Sequence, residues 1–129
     1  MDSSLLTRLL LLCLAGSAGT LARYGVYEAC ARSPMSKVPA ATLIVNIVGS
    51  FLFGLIWAMW DQGRLSMQMR IVLLGGFMGA FTTFSSFAFD TGDLIARQQY
   101  LAAAMNVLAN NVLGIGAFFV GLWAATKIA

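Results

Sequence analysis

Residues Gly75–Phe87 read GGFMGAFTTFSSF and lie inside an uncharged run from Ile71 to Phe89. That run approaches the roughly 20 mostly apolar residues that a membrane-crossing helix needs. Its second half interleaves the hydroxyls of Thr82, Thr83, Ser85 and Ser86 with Phe81, Phe84 and Phe87. A helix that only had to dissolve in lipid would carry leucine and valine here. Hydroxyls and glycines at membrane depth imply groups that face protein or a water-lined path. Gly75, Gly76 and Gly79 come just before the hydroxyls. Glycine admits unusual dihedrals, and Ser or Thr side chains re-satisfy freed backbone groups, so a break in this helix is expected.

Three more uncharged runs flank this one: Leu9–Ala22, Val38–Trp60 and Gln98–Thr126. The second and third are long enough to span a bilayer unaided, and the first becomes so with Leu5–Arg8 and Arg23–Tyr27 as flanks. The expected helices run over Leu5–Ala29, Ala40–Trp60, Met67–Ala96 and Tyr100–Lys127. The fold class expected is an all-α membrane protein with four transmembrane helices and a broken third helix. Of the 129 residues 60% are apolar and 10% charged, whereas a soluble domain carries about 25% charged residues. Residues 1–129 therefore read as a single transmembrane domain. Trp57, Trp60 and Trp123 fall near helix ends, as interfacial anchors should. Ala15, Gly16 and Gly19 share a face suited to close helix approach. Pro34 and Pro39 punctuate the first loop.

The N-terminal MDSSLLTRLLLLCLAGSAG resembles a secretory leader. Arg8 is a thin basic region, however, and the helical pattern continues to Tyr27, so retention of this segment is expected. Cys13 and Cys30 are roughly 25 Å apart by rise if they share one helix, too far for a disulfide. Histidine is absent, which excludes His/Cys metal chemistry and Ser-His catalysis within one chain. The protein is not expected to be an enzyme. The net charge of +3 contains no basic block, so no nucleic-acid partner is expected.

With four spans, Arg8, Arg64, Arg70 and Lys127 fall on one side of the bilayer. Arg32, Lys37 and Arg97 fall on the other, with Arg23 if it counts as a helix end. Orientation normally follows an excess of lysine and arginine on the cytoplasmic side, and here almost none exists. Both a single fixed orientation and insertion in both directions fit this balance. The second permits an antiparallel homodimer with its twofold axis in the membrane plane.

Thr42, Asn46, Gly49 and Ser50 recur at helical spacing on the second helix. Asn106, Asn110 and Gly114 align at i, i+4, i+8 on the fourth, with Asn111 beside them. One asparagine would be interhelical glue. Two polar stripes and a hydroxyl break together point to a pathway. Its lining would be amides, hydroxyls and aromatic rings, and no carboxylate lies near the middle of a span. Cation paths present carboxylates or carbonyl rings, whereas amide N–H and hydroxyl O–H groups donate to anions. Phenylalanine has an electropositive edge, and Phe84 and Phe87 lie one turn apart. The pattern suits a small, strongly hydrated anion. A four-helix secondary transporter of the multidrug-exporter kind is the rival, but it is expected to carry a carboxylate at the membrane centre. Glu28 lies too near a loop for that role. Asp90 and Asp93 read as caps or solvated residues at the end of the third helix.

The segments GSAGTLARY (16–24), TLIVNIVGSFLFG (42–54) and GFMGAFTTFSSF (76–87) occur in that order. Together they resemble the Fluc family of fluoride channels, also called CrcB, and the resemblance covers essentially the whole chain. It implies a dual-topology antiparallel homodimer in the bacterial inner membrane, with two pores that export fluoride passively and protect against its toxicity. It implies that Asn46 is a pore asparagine, with Thr42 the threonine a turn earlier. By the same resemblance Phe84 and Phe87 are pore phenylalanines, and Thr83, Ser85 and Ser86 belong to a polar track. Arg23 matches the helix-one arginine, a vestibule residue. Gly79 and Thr82 resemble positions whose backbone carbonyls, from both subunits, hold a structural sodium ion at the dimer centre. The chain departs from the family at Ala88, where serine is common, at Asp90, where glutamate is common, and at Asn110, where serine is usual. An amide donates as a hydroxyl does, so Asn110 is expected to join the pore and conduction to survive.

Overall fold

The computed structural model describes residues 3–33 and 39–128. Pro34 and Lys37, used above in the loop and in the charge balance, lie outside the described residues. The first helix, α1 (Ser3–Ala31), runs without interruption. Next comes α2 (Ala40–Asp61). The third span is composite: α3 (Met67–Arg70), a π-helical segment (Ile71–Met78), α4 (Gly79–Phe81) and α5 (Phe84–Ala96). The chain closes with α6 (Tyr100–Ala125). Four helical stretches, Leu5–Ala31, Ala40–Asp61, Met67–Ala96 and Tyr100–Ala125, are long and apolar enough to cross a membrane. Their ends lie within two residues of those expected, the ordinary latitude of helix boundaries.

The expected break exists, but the glycines do not make it. Gly79 is helical, at φ −60° and ψ −32°. The chain leaves the helix at Thr82 (φ −82°, ψ 159°) and Thr83 (φ −152°, ψ 114°), both extended. Extended backbone is open to any residue. What a break at membrane depth needs is replacement hydrogen-bond partners. Gly75 and Gly76 fall instead in the π-helical segment and Gly79 opens α4; the π-helix is a wider and rarer coil that in other proteins is frequent at functional sites.

Two turns set the helix ends. After α2, Gly63 takes φ 73°. Its N–H donates to the Trp60 carbonyl at 2.9 Å and that of Arg64 to the Met59 carbonyl at 2.9 Å. This double closure lets the last carbonyls of the helix find donors. After α5 the same closure recurs, with Gln98 and Gln99 donating to Ile95 and Leu94. There the left-handed position (φ 61°) is held by Gln98, not glycine.

α2 packs along α6, and α1 packs along the π-helical segment and α4. Both contacts depend on missing side chains. A methyl on Gly121 would run into the Phe51 carbonyl, and one on Gly19 into the Phe77 carbonyl. Small residues let membrane helices approach this closely. The core is compact: Val45, Leu74, Met78 and Phe81 are buried, with Ala22, Tyr27, Leu52, Ile56 and Phe77 against them. Elsewhere the apolar side chains point outward. Only 6% of the apolar window of α1 and 11% of that of α6 is buried, against 28% for α2 and the third span. Apolar surface on this scale calls for lipid or a partner as its cover. At one end of the bundle the Arg70 guanidinium lies 4.0 Å from the Trp60 ring and 4.7 Å from Trp57. Lys127 stands over Trp123. These basic–aromatic pairs fit the headgroup level, where such side chains keep charge in water and rings in lipid.

Candidate functional site

The break in the third span is held by a side chain from α2. The Thr83 N–H would serve the Gly79 carbonyl in an unbroken helix. Instead it donates to Asn46 Oδ1 at 2.9 Å. The Thr83 carbonyl in turn accepts from Asn46 Nδ2 at 3.2 Å. One asparagine amide thus replaces a backbone partner on both sides of a single residue. Thr83 itself is buried, so without Asn46 two backbone groups would be left unmet. The hydroxyls finish the repair. Thr82 Oγ1 donates to the Met78 carbonyl at 2.9 Å. Thr83 Oγ1 accepts from the Ser86 N–H at 3.1 Å and so caps the start of α5.

This pairing fixes which way the Asn46 amide faces, because an N–H cannot accept and a carbonyl cannot donate. The second Asn46 Nδ2 hydrogen donates to Asn110 Oδ1 at 3.0 Å. Asn110 Nδ2 then donates to Asn106, to its carbonyl and to its Oδ1, each at 3.1 Å. Asn106 Nδ2 donates to Thr91 Oγ1 at 2.9 Å, and Thr91 Oγ1 donates to the Phe87 carbonyl at 2.9 Å. A directional ladder therefore runs from the break, across α6, and back to α5. Each bond polarises the next in the same sense.

Beside the ladder lies a groove of about 500 Å³. Asn46, Thr82, Thr83, Phe84, Phe87 and Asn110 line it, together with Gly49, Ser50, Asn111 and Gly114. Phe53, Ile115 and Phe118 form its apolar wall. The lining carries no charged residue. Phe84 and Phe87 stand edge to face, ring centroids 5.5 Å apart. Phe84 is 79% exposed, so the groove is open on that side in a single chain.

The remaining sequence-derived site residues lie outside the groove lining. Thr42 is buried and its Oγ1 shares a 2.8 Å hydrogen bond with the Tyr27 hydroxyl, tying α2 to α1. Ser85 and Ser86 gather around Thr83 Oγ1, at 3.2 and 3.0 Å. Arg23 is half-buried on α1, one turn from Gly19. Eight residues separate it from Ala31, about 12 Å by rise, so it sits well inside the helix and not at its end. Among the described residues it forms no ion pair; Glu28 pairs with Arg32 and Asp93 with Arg97. Gly79 is exposed. Its carbonyl loses its helical donor when Thr83 turns to Asn46. Asp90, expected as a cap or a solvated residue, lies within α5, which runs on to Ala96; it is half-buried, and its Oδ2 is buried with no hydrogen-bond partner among the described residues. Thr91 is the residue that sequence reasoning missed. Its signal was available, one turn beyond Phe87, but a lone threonine at i+4 is a common way to satisfy a helical carbonyl.

A family model described as CrcB-like protein, Camphor Resistance (CrcB), matches residues 10–122. The chain belongs to the CrcB-like family. Relatives within reach of this CrcB-like chain are named fluoride-specific ion channel FluC. That of Solidesulfovibrio magneticus is 46% identical over 123 residues, covering 92% of this chain and 95% of that protein. That of Parabacteroides distasonis is 41% identical over 115 residues, covering 89% and 90%. The Geobacter sulfurreducens protein is 36% identical over 128 residues, covering 95% of this CrcB-like chain and all of its own length.

Proposed function

We propose that this protein is a fluoride-selective channel that lets fluoride leave the cytoplasm passively across the bacterial inner membrane. The observation that carries this reading is the uncharged groove at the broken helix, where amides, hydroxyls and phenylalanine edges converge at membrane depth. A protein 46% identical over 95% of its own length is named a fluoride-specific ion channel. Fluoride gives up hydration only where donors replace it. The groove is lined by the amides of Asn46, Asn110 and Asn111, whose N–H groups are paired within the protein until an anion competes for them, and by Phe84 and Phe87, beside the start of α5. The first N–H groups of a helix have no intrahelical partner and carry partial positive charge. The hydroxyls of Ser85 and Ser86 continue the donor path along α5, and Thr42 supports it from behind through Tyr27. Arg23 would draw anions toward the entrance. A carboxylate-coupled exporter is not favoured, since no carboxylate lines the groove.

The working unit in this proposal is an antiparallel homodimer of oppositely inserted copies. The open flank at Phe84 and the near-even basic residues support it. The Gly79 carbonyl freed by the break fits a sodium ion, which takes oxygen ligands and needs no charged side chain. Gly79 and Thr82 carbonyls would hold it, and the ion would supply a fixed positive charge tying two subunits together.

The deciding experiment is efflux from liposomes loaded with potassium fluoride or chloride, read with ion-selective electrodes. Fluoride is expected to leave and chloride to stay. Protein-containing vesicles that hold both ions would overturn the channel. Orientation is tested with a cysteine placed in the 62–66 loop of a Cys13→Ser, Cys30→Ser protein in intact cells. An impermeant thiol reagent should reach half of the copies. Labelling of all or none would overturn dual topology.

A further inference from the structure

We propose that the asparagine ladder Asn110–Asn106–Thr91 is a reversible relay, and that an anion enters the site by reversing its polarity. The inference rests on the fluoride-channel reading and adds to it two residues away from the ion, Asn106 and Thr91. In the observed arrangement both Asn46 Nδ2 hydrogens are engaged, with the Thr83 carbonyl and Asn110 Oδ1. Asn110 thus turns an oxygen toward Asn46, and its own hydrogens go to Asn106. An anion approaching here meets an acceptor. Asn46 cannot turn to help, because the Thr83 backbone holds both ends of its amide.

Asn110 can turn. Rotating a primary amide half a turn exchanges two groups of nearly the same size. It would place Asn110 Nδ2 next to Asn46 Nδ2, so two donors face one point of the groove. The turned Asn110 Oδ1 then faces Asn106, which must turn as well and donate to it. Asn106 Oδ1 next faces Thr91 Oγ1. That hydroxyl both donates and accepts. It swings its proton from the Phe87 carbonyl to Asn106 Oδ1 and ends the chain without an orphan. Every side-chain amide in the ladder keeps a partner in both polarities, while the turned Asn110 Oδ1 comes to lie against the Asn106 carbonyl to which Nδ2 had donated, a repulsion that the two hydrogen bonds to the anion must outweigh. Asn106 is 7% exposed, so water has little access to repair a half-turned ladder. Asn106 and Thr91 are in this sense positioning residues that set whether the site favours an anion.

The test combines flux with a spectroscopic readout on the full-length protein in lipid. Asn106→Leu leaves the backbone carbonyl that holds Asn110 in its resting sense, and removes the donor that a turned Asn110 requires. Fluoride efflux is expected to fall about tenfold, the equivalent of one lost pairing. In an Asn110→Ser background a freely rotating hydroxyl replaces the turning amide, so adding Asn106→Leu should change efflux little. A purely structural role for Asn106 would lower efflux equally in both backgrounds. Independently, the chain has asparagines only at 46, 106, 110 and 111. With asparagine-selective nitrogen-15 labelling, the Asn106 side-chain amide signals should move on fluoride titration and not with chloride. Equal efflux with and without Asn106→Leu, equal loss in both backgrounds, or Asn106 signals indifferent to fluoride would each overturn the relay. Absence of fluoride efflux from the unaltered protein would overturn the channel reading itself.

Discussion

Replacing Asn46 by leucine isolates the part that this side chain plays in the broken helix. Leucine is close to asparagine in shape but offers neither donor nor acceptor. The Thr83 N–H loses its partner at 2.9 Å and the Thr83 carbonyl its partner at 3.2 Å. A hydrogen bond contributes about 1 kcal/mol net, and a buried group left unmet costs about 1–3 kcal/mol. Side-chain bonds within membrane bundles average about 0.6 kcal/mol. Thr83 is buried, yet it borders an open groove, which places the pair near the low end of those ranges. A loss of about 2 kcal/mol corresponds to roughly 30-fold in a local opening equilibrium. The assay is amide hydrogen exchange of the protein in lipid nanodiscs. The Thr83 amide should exchange roughly 30-fold faster in Asn46→Leu, while amides of mid-α6 keep their rates. Asn46→Asp sharpens the test. One carboxylate oxygen still accepts from the Thr83 N–H while the other faces the Thr83 carbonyl in place of a donor, so Thr83 protection should fall less than in the leucine variant. The same variant turns an acceptor toward the groove and should abolish fluoride efflux. Unchanged Thr83 exchange in the leucine variant would refute the brace. Normal efflux in the aspartate variant would refute a pore role for Asn46.

Phe84→Ile keeps bulk at the groove mouth and removes the ring edge, so fluoride efflux should drop sharply; an unchanged rate would mean that the ring only packs. Gln98→Gly relieves a left-handed backbone position and should raise stability by about 0.5–1 kcal/mol, measured by denaturant titration in detergent. Gly121→Val drives a branched side chain into the Phe51 carbonyl and should destabilise the α2–α6 pair by about 1–3 kcal/mol, by the same titration. If sodium is held as proposed, replacing it with a large organic cation during purification should lower the thermal stability of the protein; no change would remove the sodium proposal.

The four spans were legible because charge and hydropathy are properties of residue type, and a bilayer reads them directly. Part of the expected set comes together: Asn46, Thr83, Phe84, Phe87 and Asn110 share one groove, while Thr42, Ser85 and Ser86 lie outside its lining. Their pairing was not legible. Nothing in the spacing on α2 says that the Asn46 amide meets the backbone of a residue 37 positions away. Thr42 shows the same limit from the other side. It lies on the Asn46 stripe, yet about 40° of drift around the helix and a nearby Tyr27 hydroxyl give it to α1 instead.

Composition and the order of uncharged runs decided that this chain crosses a membrane four times, because the cost of charge in lipid depends on the residue and not on its neighbours. Residue chemistry likewise decided that any path through it would offer donors. Where the third helix opens, and which atoms hold it open, was decided by tertiary contact. The extended dihedrals at Thr82 and Thr83 are open to any residue. They become stable at this point because a side chain from another helix arrives to take up the hydrogen bonds that the backbone gives away.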